Sequence, residues 1–321
     1  MTTVTMKEMR TALDSFGIEK DAILLTHSSL KALGRIEGGA EAVIEAIEAT
    51  VPDGTVVFPT LSQKNFETAM EDWTLDRPSD VGLITETFRK QAGSIRSDNP
   101  THSVASRGKY AEDLVKDHAT GKERYGVFGD LCFGHESPWQ RMFDSRTRYG
   151  VKCYVLFWGV DTVYNTFKHF AEYRLAEKLL DAVKDTAERD ALRLELQHKP
   201  PVAPPDGVEQ VWVYYTAKLL EPMLFEAGIA RRVSLGDGEL ILCDIYEMMS
   251  FAENVLAMTP ERIIENEKAL DWIARAKAAG ANCFSKKQKI PDPRLQGREF
   301  FVRAFWCRNV TIVMDFCRDY T

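Results

Sequence analysis

The sequence predicts an α/β fold, on three observations. Short apolar runs recur at residues 22–25, 55–58 and 151–158, each the length of one buried strand. Helical patterns follow them, at residues 40–50, 82–91 and from about 165 onward. The stretch from Val151 to Leu175 joins the two kinds of element through a turn ended by Gly159. That makes a βα corner, where α/β proteins place ligands.

The first helix is expected over residues 5–16. Thr5 and Glu8 fit a capping box, Met6, Met9, Leu13 and Phe16 form an apolar stripe, and Gly17 stops it. The strand at 22–25 runs into a polar loop, Thr26-His27-Ser28-Ser29-Leu30, followed by Gly34 and Gly38-Gly39 before the helix at 40–50. Small residues before a helix N-terminus let the backbone approach a phosphate, although an ordinary capped loop has the same pattern. Pro52-Asp53-Gly54 is a turn, and residues 61–80 read as a polar surface excursion around Trp73. Arg96 opens a second polar loop, Asn99-Pro100-Thr101-His102-Ser103-Val104, that enters a short strand. A helix is expected at 109–118 and a Gly-rich loop at 128–138, with His135 given no role. The helix begun near residue 165 should reach about 184, with a charged helical segment to about 197. Four prolines within 198–207 read as a linker, 211–215 as β-prone, and Gly236-Asp237-Gly238 as a hairpin turn between 232–235 and 239–243. Helices at 217–227, 245–258 and 260–279 and a strand pair at 300–305 and 310–314 complete the chain. There is no internal repeat.

On the central helix, Asn165, His169 and Glu172 stand at i, i+4 and i+7 and share one face beside the turn that carries Asp161. Histidine is the side chain best suited to moving protons near neutral pH, and a carboxylate one turn away can orient it. A purely structural helix start with a hydrogen-bonded His has the same spacing.

Composition narrows the function classes. The 321 residues are 45% hydrophobic and 28% charged, with net charge −7. No basic excess exists to neutralise phosphates, which argues against nucleic-acid or anionic-membrane partners. No apolar run is long enough for a transmembrane helix, and the start MTTVTMKEMR lacks a signal-peptide core. Six cysteines at 132, 153, 243, 283, 307 and 317 form no C-x-x-C pair. They read as free thiols in a reducing, cytoplasmic compartment, with no metal site expected.

Assembled in order, these motifs resemble the aminoglycoside 3-N-acetyltransferase family. They are His27-Ser28-Ser29-Leu30 with Gly38-Gly39-Ala40; Gly54-Thr55 through Pro59-Thr60; and Arg96 with Pro100-Thr101-His102-Ser103-Val104. They continue with Glu136-Ser137-Pro138, then Asn165-Thr166 with His169, Ala171, Glu172 and Tyr173. The likeness covers about residues 5–175, with a weaker echo at 218–265. It implies a three-layer α/β/α sandwich around a mixed central sheet, in one domain over residues 1–279. It implies acetyl transfer from acetyl-CoA to an amine of an aminocyclitol antibiotic. By the same likeness, the 27–30 and 101–104 loops hold the CoA and His169 is catalytic; Gly34 and Arg96 are read as further candidate CoA contacts.

Lys168 beside that His, the bulky Phe157-Trp158, a longer region at 176–215 and an extension at 280–321 depart from the family pattern. They bear on the acceptor amine more than on acyl transfer. The apolar residues at 300–316 require a partner face, in this chain or in a homodimer. The expected mechanism is direct transfer: His169, oriented by Glu172, deprotonates the amine, and Asp161 and Asn165 lie on the acceptor side. His27 and His102 are read as loop-shaping or cofactor-contacting, and His118 and His198 as solvated. Arg96 is read as pairing with a CoA phosphate or with a surface carboxylate. A Ser/His hydrolase is the competing class, and it lacks a G-x-S-x-G elbow. A non-catalytic binding module is the third.

Overall fold

The computed structural model describes residues 2–62, 72–198 and 207–281. The strands are β1 (Thr3–Val4), β2 (Ile23–Ser28), β3 (Arg35–Ile36), β4 (Thr55–Pro59), β5 (Ile95–Arg96), β6 (Val104–Gly108), β7 (Cys153–Trp158), β8 (Ala230–Leu235) and β9 (Gly238–Asp244). The helices are α1 (Met6–Asp14), α2 (Gly39–Glu48), α3 (Leu83–Lys90), α4 (Ala111–Val115), α5 (Pro138–Phe143), α6 (Ser145–Arg148), α7 (Phe167–Ala182), α8 (Thr186–Leu194), α9 (Ala217–Glu226), α10 (Ile245–Met258) and α11 (Glu267–Ala279).

Strand side chains alternate between faces, so a strand apolar at every position must be covered on both sides. Ile23 and Leu25 of β2 join one core cluster with Val57, Val155, Phe157 and residues of α7, α10 and α11. Leu24 joins the other, with Val56, Leu156, Trp158 and residues of α1, α2 and α3. The sheet between them is seven-stranded, in the order β5-β6-β4-β2-β7-β9-β8. β2 runs parallel to β4 and β7, whereas β6, β5, β9 and β8 pair antiparallel with their neighbours. This is the mixed sheet in a three-layer sandwich. Its parallel centre puts the C-terminal ends of β2 and β7 side by side, with Ser28 opposite Trp158.

Local signals hold where they are strongest. Thr5 and Glu8 form the capping box, with Glu8 Oε2 accepting from Thr5 N at 2.8 Å. The hairpin β8–β9 turns at Gly236-Asp237, and α10 has the expected bounds.

Five expectations change. β2 continues through Ser28, so His27 and Ser28 belong to a strand and not to a loop, because β7 pairs with it to that point. The helix expected at 109–118 shrinks to α4, which ends at Val115. Helix α7 ends at Ala182. Residues 211–215 form no strand: only Val211 bridges, to Leu196, and the segment lies against α7. The expected helix at 260–279 is broken into a short 3-10 turn, Pro260–Arg262, and α11, because Asn266 caps a new start by accepting from Lys268 N and Ala269 N. The strand pair at 300–305 and 310–314 and the packing of the extension fall on residues 282–321, outside the described residues.

Candidate active site

Helix α7 starts after a polar turn. The Asp161 side chain accepts from Val163 N, and Asn165 Oδ1 accepts from Phe167 N at 3.1 Å. Asn165 Nδ2 reaches Met248 Sδ. Both residues are therefore engaged in capping, and Asn165 is buried. One turn further along, His169 Nδ1 lies 2.9 Å from Glu172 Oε2. Glu172 is fully buried. Trp212 Nε1 also donates to its Oε2, at 3.2 Å, and Tyr215 N donates to its Oε1, at 3.1 Å. A buried carboxylate with this many donors is held as an acceptor. It therefore accepts a hydrogen bond from the Nδ1–H of His169, and Nε2 is left without a partner among the described residues on a side chain that is 23% exposed. Trp212 and Tyr215 come from a stretch read only as β-prone, and nothing in the sequence spacing ties them to Glu172.

Aromatic rings surround His169. Phe128 lies 4.7 Å away between ring centroids, Tyr214 and His102 6.0 Å, and Phe133 6.4 Å. Phe128 and Phe133 come from the Gly-rich 126–134 loop, which the Tyr173 hydroxyl ties down by accepting from Phe128 N and donating to Gly129 O. The Lys168 ammonium sits over the Tyr214 and Tyr215 rings, at 5.9 and 6.0 Å.

The 101–104 loop is buried throughout. Asn99 Oδ1 gathers it by accepting from Thr101 N, Thr101 Oγ1 and His102 N, and Trp139 Nε1 donates to His102 O. Ser103 Oγ donates to Thr60 O, and Val104 pairs with Pro59. Arg96 departs from both of its expected roles. Its guanidinium donates to Thr60 O, Leu75 O, Arg77 O and Ser103 Oγ and stacks on Trp73. It clamps three loop segments with donors that a phosphate would need, and burial lowers its pKa to about 10.

His27 faces α7. It stacks on Phe157 at 5.6 Å, and its Nε2 accepts from Thr166 N at 3.5 Å. Strand alternation sends Thr26 and Ser28 to the opposite face. Their hydroxyls, and Nε1 of neighbouring Trp158, have no hydrogen-bond partner among the described residues. Ser29 N donates to Trp158 O, and Leu30 packs on the second core cluster. Gly34 is set apart from this group. A Cβ there would lie 2.5 Å from Thr2 O and 2.9 Å from Asp237, so it serves the contact between β1 and the hairpin.

Of the remaining histidines, His118 and His198 depart from the expectation that they are solvated. His118 is buried, with Nδ1 at Ser97 Oγ and Nε2 at Cys132 O. His198 is half-buried, stacks on Tyr125 and meets Asp130 at 2.9 Å. His135 Nε2 bonds Glu177 Oε1 at 2.7 Å. Burial lowers the pKa of His27 to about 3, of His118 to about 4, and of His102 well below 6.5. These groups are uncharged when folded but protonate in the unfolded chain as pH falls through 6.5. Between the unfolded and folded values the unfolded chain binds more protons, so acid destabilises. We expect the urea midpoint to fall steadily from pH 6.5 toward pH 4. His118→Gln should flatten that slope; an unchanged slope would contradict the assignment of His118 as a buried neutral base.

Among the described residues no group of His, Cys, Asp or Glu could hold a metal ion, and no helix is long and apolar enough to cross a membrane. Cys132, Cys153 and Cys243 are buried free thiols.

The sequence profile of the family described as aminoglycoside 3-N-acetyltransferase matches residues 25–257. A prophage-derived aminoglycoside N(3′)-acetyltransferase-like protein of Bacillus subtilis is 28% identical over 193 residues, 53% of this chain and 65% of that protein. An aminoglycoside N(3)-acetyltransferase III of a Salmonella species is 29% identical over 186 residues, 52% of this chain and 60% of that enzyme. The match thus spans somewhat less than two thirds of these relatives. Among solved structures, the apoenzyme of aminoglycoside acetyltransferase AAC(3)-IVa superposes with TM-score 0.58 at 19% identity, covering 86% of this chain and 98% of that one. AAC-IIIb in binary complex with CoASH gives TM-score 0.58 at 19% identity, covering 83% and 100%. At such identity the structural likeness is one of fold.

Proposed function

The chain belongs to the aminoglycoside 3-N-acetyltransferase family, and from that membership we propose that it transfers acetyl from acetyl-CoA to an amine of an aminoglycoside or related amino sugar. The observation that carries the reading is the buried Glu172 holding His169 by Nδ1, with the opposite ring nitrogen free among the described residues. An ammonium must lose a proton before its nitrogen attacks a thioester. That first proton leaves to solvent; as the neutral nitrogen attacks, His169 Nε2 takes one of its two remaining protons and Glu172 supports the imidazolium that results, a role worth ~10²–10⁴ in rate. The amine nitrogen forms the C–N bond and the C–S bond breaks. The proton passes to the departing sulfur, and no covalent enzyme intermediate is required. Phe128, Phe133 and Tyr214 pack around the base.

The end of β2 suits acetyl-CoA. The half-buried Ser28 there has a hydroxyl without a protein partner among the described residues, which suits a ligand rich in amide carbonyls. The bound co-substrate supplies the activated acyl group. We expect acetyl-CoA to raise the melting temperature in the absence of added metal, since a ligand that binds only the folded state must stabilise it. No shift at millimolar acetyl-CoA would refute this part of the reading.

The decisive experiment incubates the protein with acetyl-CoA and a panel of amines, scoring thiol release and product mass. The panel includes apramycin, sisomicin and a gentamicin, bound by related solved enzymes. Amine-dependent thiol release with an N-acetyl product supports transfer. Equal release without any amine would indicate a hydrolase. A second reading, an amine that is not an antibiotic, is favoured by Lys168, whose ammonium over the Tyr214 ring, itself a neighbour of His169, opposes a polycationic acceptor. Buried free thiols support a reducing, cytoplasmic setting.

A further inference from the structure

His102 presents a buried polar atom with no protein use. Its ring is fully buried, and Nε2 has no hydrogen-bond partner among the described residues. Such a group costs free energy unless something else satisfies it. The local network settles its tautomer. Thr101 Oγ1 gives its proton to Asn99 Oδ1, which also accepts from the Thr101 and His102 backbone. Asn99 Oδ1 is acceptor-only, so the Thr101 hydroxyl hydrogen is committed there. The 3.0 Å contact between Thr101 Oγ1 and His102 Nδ1 must then be donated by Nδ1. Nε2 is left as a bare lone pair.

The ring carrying that lone pair stands 6.0 Å from the His169 ring, edge to face. Phe133 lies at 4.7 Å and Phe128 at 4.8 Å. The two imidazoles are thus direct neighbours in one aromatic cluster, so a bound amine that reaches one lies close to the other.

We propose that His102 Nε2 is a second contact to the attacking amine, accepting one N–H while His169 removes the proton that is lost. The inference rests on the acetyl-transfer reading above. A neutral primary amine carries two N–H bonds. One proton goes to His169 and on to the sulfur of CoA. The other stays on nitrogen as the hydrogen of the amide product, and His102 orients the nitrogen lone pair by holding it. His102 is suited to this because it stays uncharged: desolvation and the neighbouring His169 and His118 all oppose its protonation.

Two variants and one spectroscopic measurement test this. His102→Phe keeps a ring and removes both nitrogens; His102→Gln restores an oxygen acceptor. With gentamicin as acceptor, His102→Phe should lower kcat/KM for the amine by roughly tenfold, the size of one hydrogen bond. The acetyl-CoA KM and the acid limb of the kcat–pH profile should stay as in wild type, and His102→Gln should recover part of the loss. Unchanged amine kcat/KM in His102→Phe overturns the proposal. So does a raised acetyl-CoA KM with kcat intact, which would make His102 a CoA contact. Loss of the acid limb overturns it too, by making His102 the base. In ¹⁵N-histidine-labelled wild type, the His102 Nε2 signal should report an unprotonated nitrogen and move when gentamicin is added. A signal that stays put overturns the proposal even if the variants fail to fold. If wild type binds acetyl-CoA yet acetylates no amine, the transfer reading fails, and the ¹⁵N shift still decides whether His102 meets an amine.

Discussion

His169→Gln is expected to lower kcat by roughly 10²-fold or more, with the KM for acetyl-CoA near wild type. The reason is geometric. Among the described residues only Nδ1 of His169 is bonded, to Glu172, and the imidazole is the one ring in the aromatic cage that is both oriented by a carboxylate and partly exposed. A glutamine keeps side-chain bulk but cannot take up a proton, so the acid limb of the kcat–pH profile should vanish with it. A variant that loses transition-state stabilisation alone shows a fall in kcat without a fall in cofactor affinity. Glu172→Gln separates orientation from proton transfer. Its kcat should fall less than that of His169→Gln, but its stability should fall more. Three N–H donors converge on the Glu172 carboxylate. An amide offers one oxygen, so an N–H is left facing an N–H in a fully buried site, at a cost of about 1–3 kcal/mol. A folded His169→Gln that binds acetyl-CoA and turns over within a few-fold of wild type would remove His169 from the mechanism.

Gly126→Ala should destabilise the protein by about 1–3 kcal/mol and lower activity beyond the loss of folded protein. A Cβ at this position would fall 2.1 Å from Cε1 and Cζ of Tyr173. That ring cannot yield, because it is fully buried and its hydroxyl bonds Phe128 N, Gly129 O and Cys132 Sγ. The 126–134 loop must move instead, and it carries Phe128 and Phe133 against His169 and His102. Gly228→Ala is the control. It has positive φ but open space around the missing Cβ, so it reports conformational strain without the clash. Equal melting temperatures and equal turnover for Gly126→Ala and wild type would show that the loop is not held by Tyr173.

The chain-local features were legible in the sequence. The Thr5–Glu8 capping box, the hairpin at Gly236-Asp237, the bounds of α10 and the buried strands all follow from interactions within a few residues, where residue type and spacing settle the outcome. The face shared by His169 and Glu172 is also local, set by helical periodicity over one turn. The motif order further carried the family, which the profile match over residues 25–257 bears out. What surrounds those two residues was decided elsewhere. Trp212 and Tyr215 reach Glu172 across 40 and 43 residues of chain. Phe128 reaches Tyr173 across 45 residues. No spacing rule records such partners, because they meet only when the 207–216 segment and the Gly-rich loop pack on α7.

The same physics explains the corrections. β2 runs on through Ser28 because β7 offers it ladder partners, although Thr26-His27-Ser28 is a polar sequence that reads as a loop. His118 is buried because Ser97 and the Cys132 carbonyl, brought in by other elements, satisfy both of its nitrogens. Arg96 is drawn from solvent by carbonyls at 60, 75 and 77 that only the folded loops place around it. By itself the sequence determined most of the elements and which helix carries His169 and Glu172. The tertiary structure decided which polar groups are satisfied and which, like His102 Nε2, are left open, because hydrogen-bond satisfaction is settled by neighbours distant in the chain.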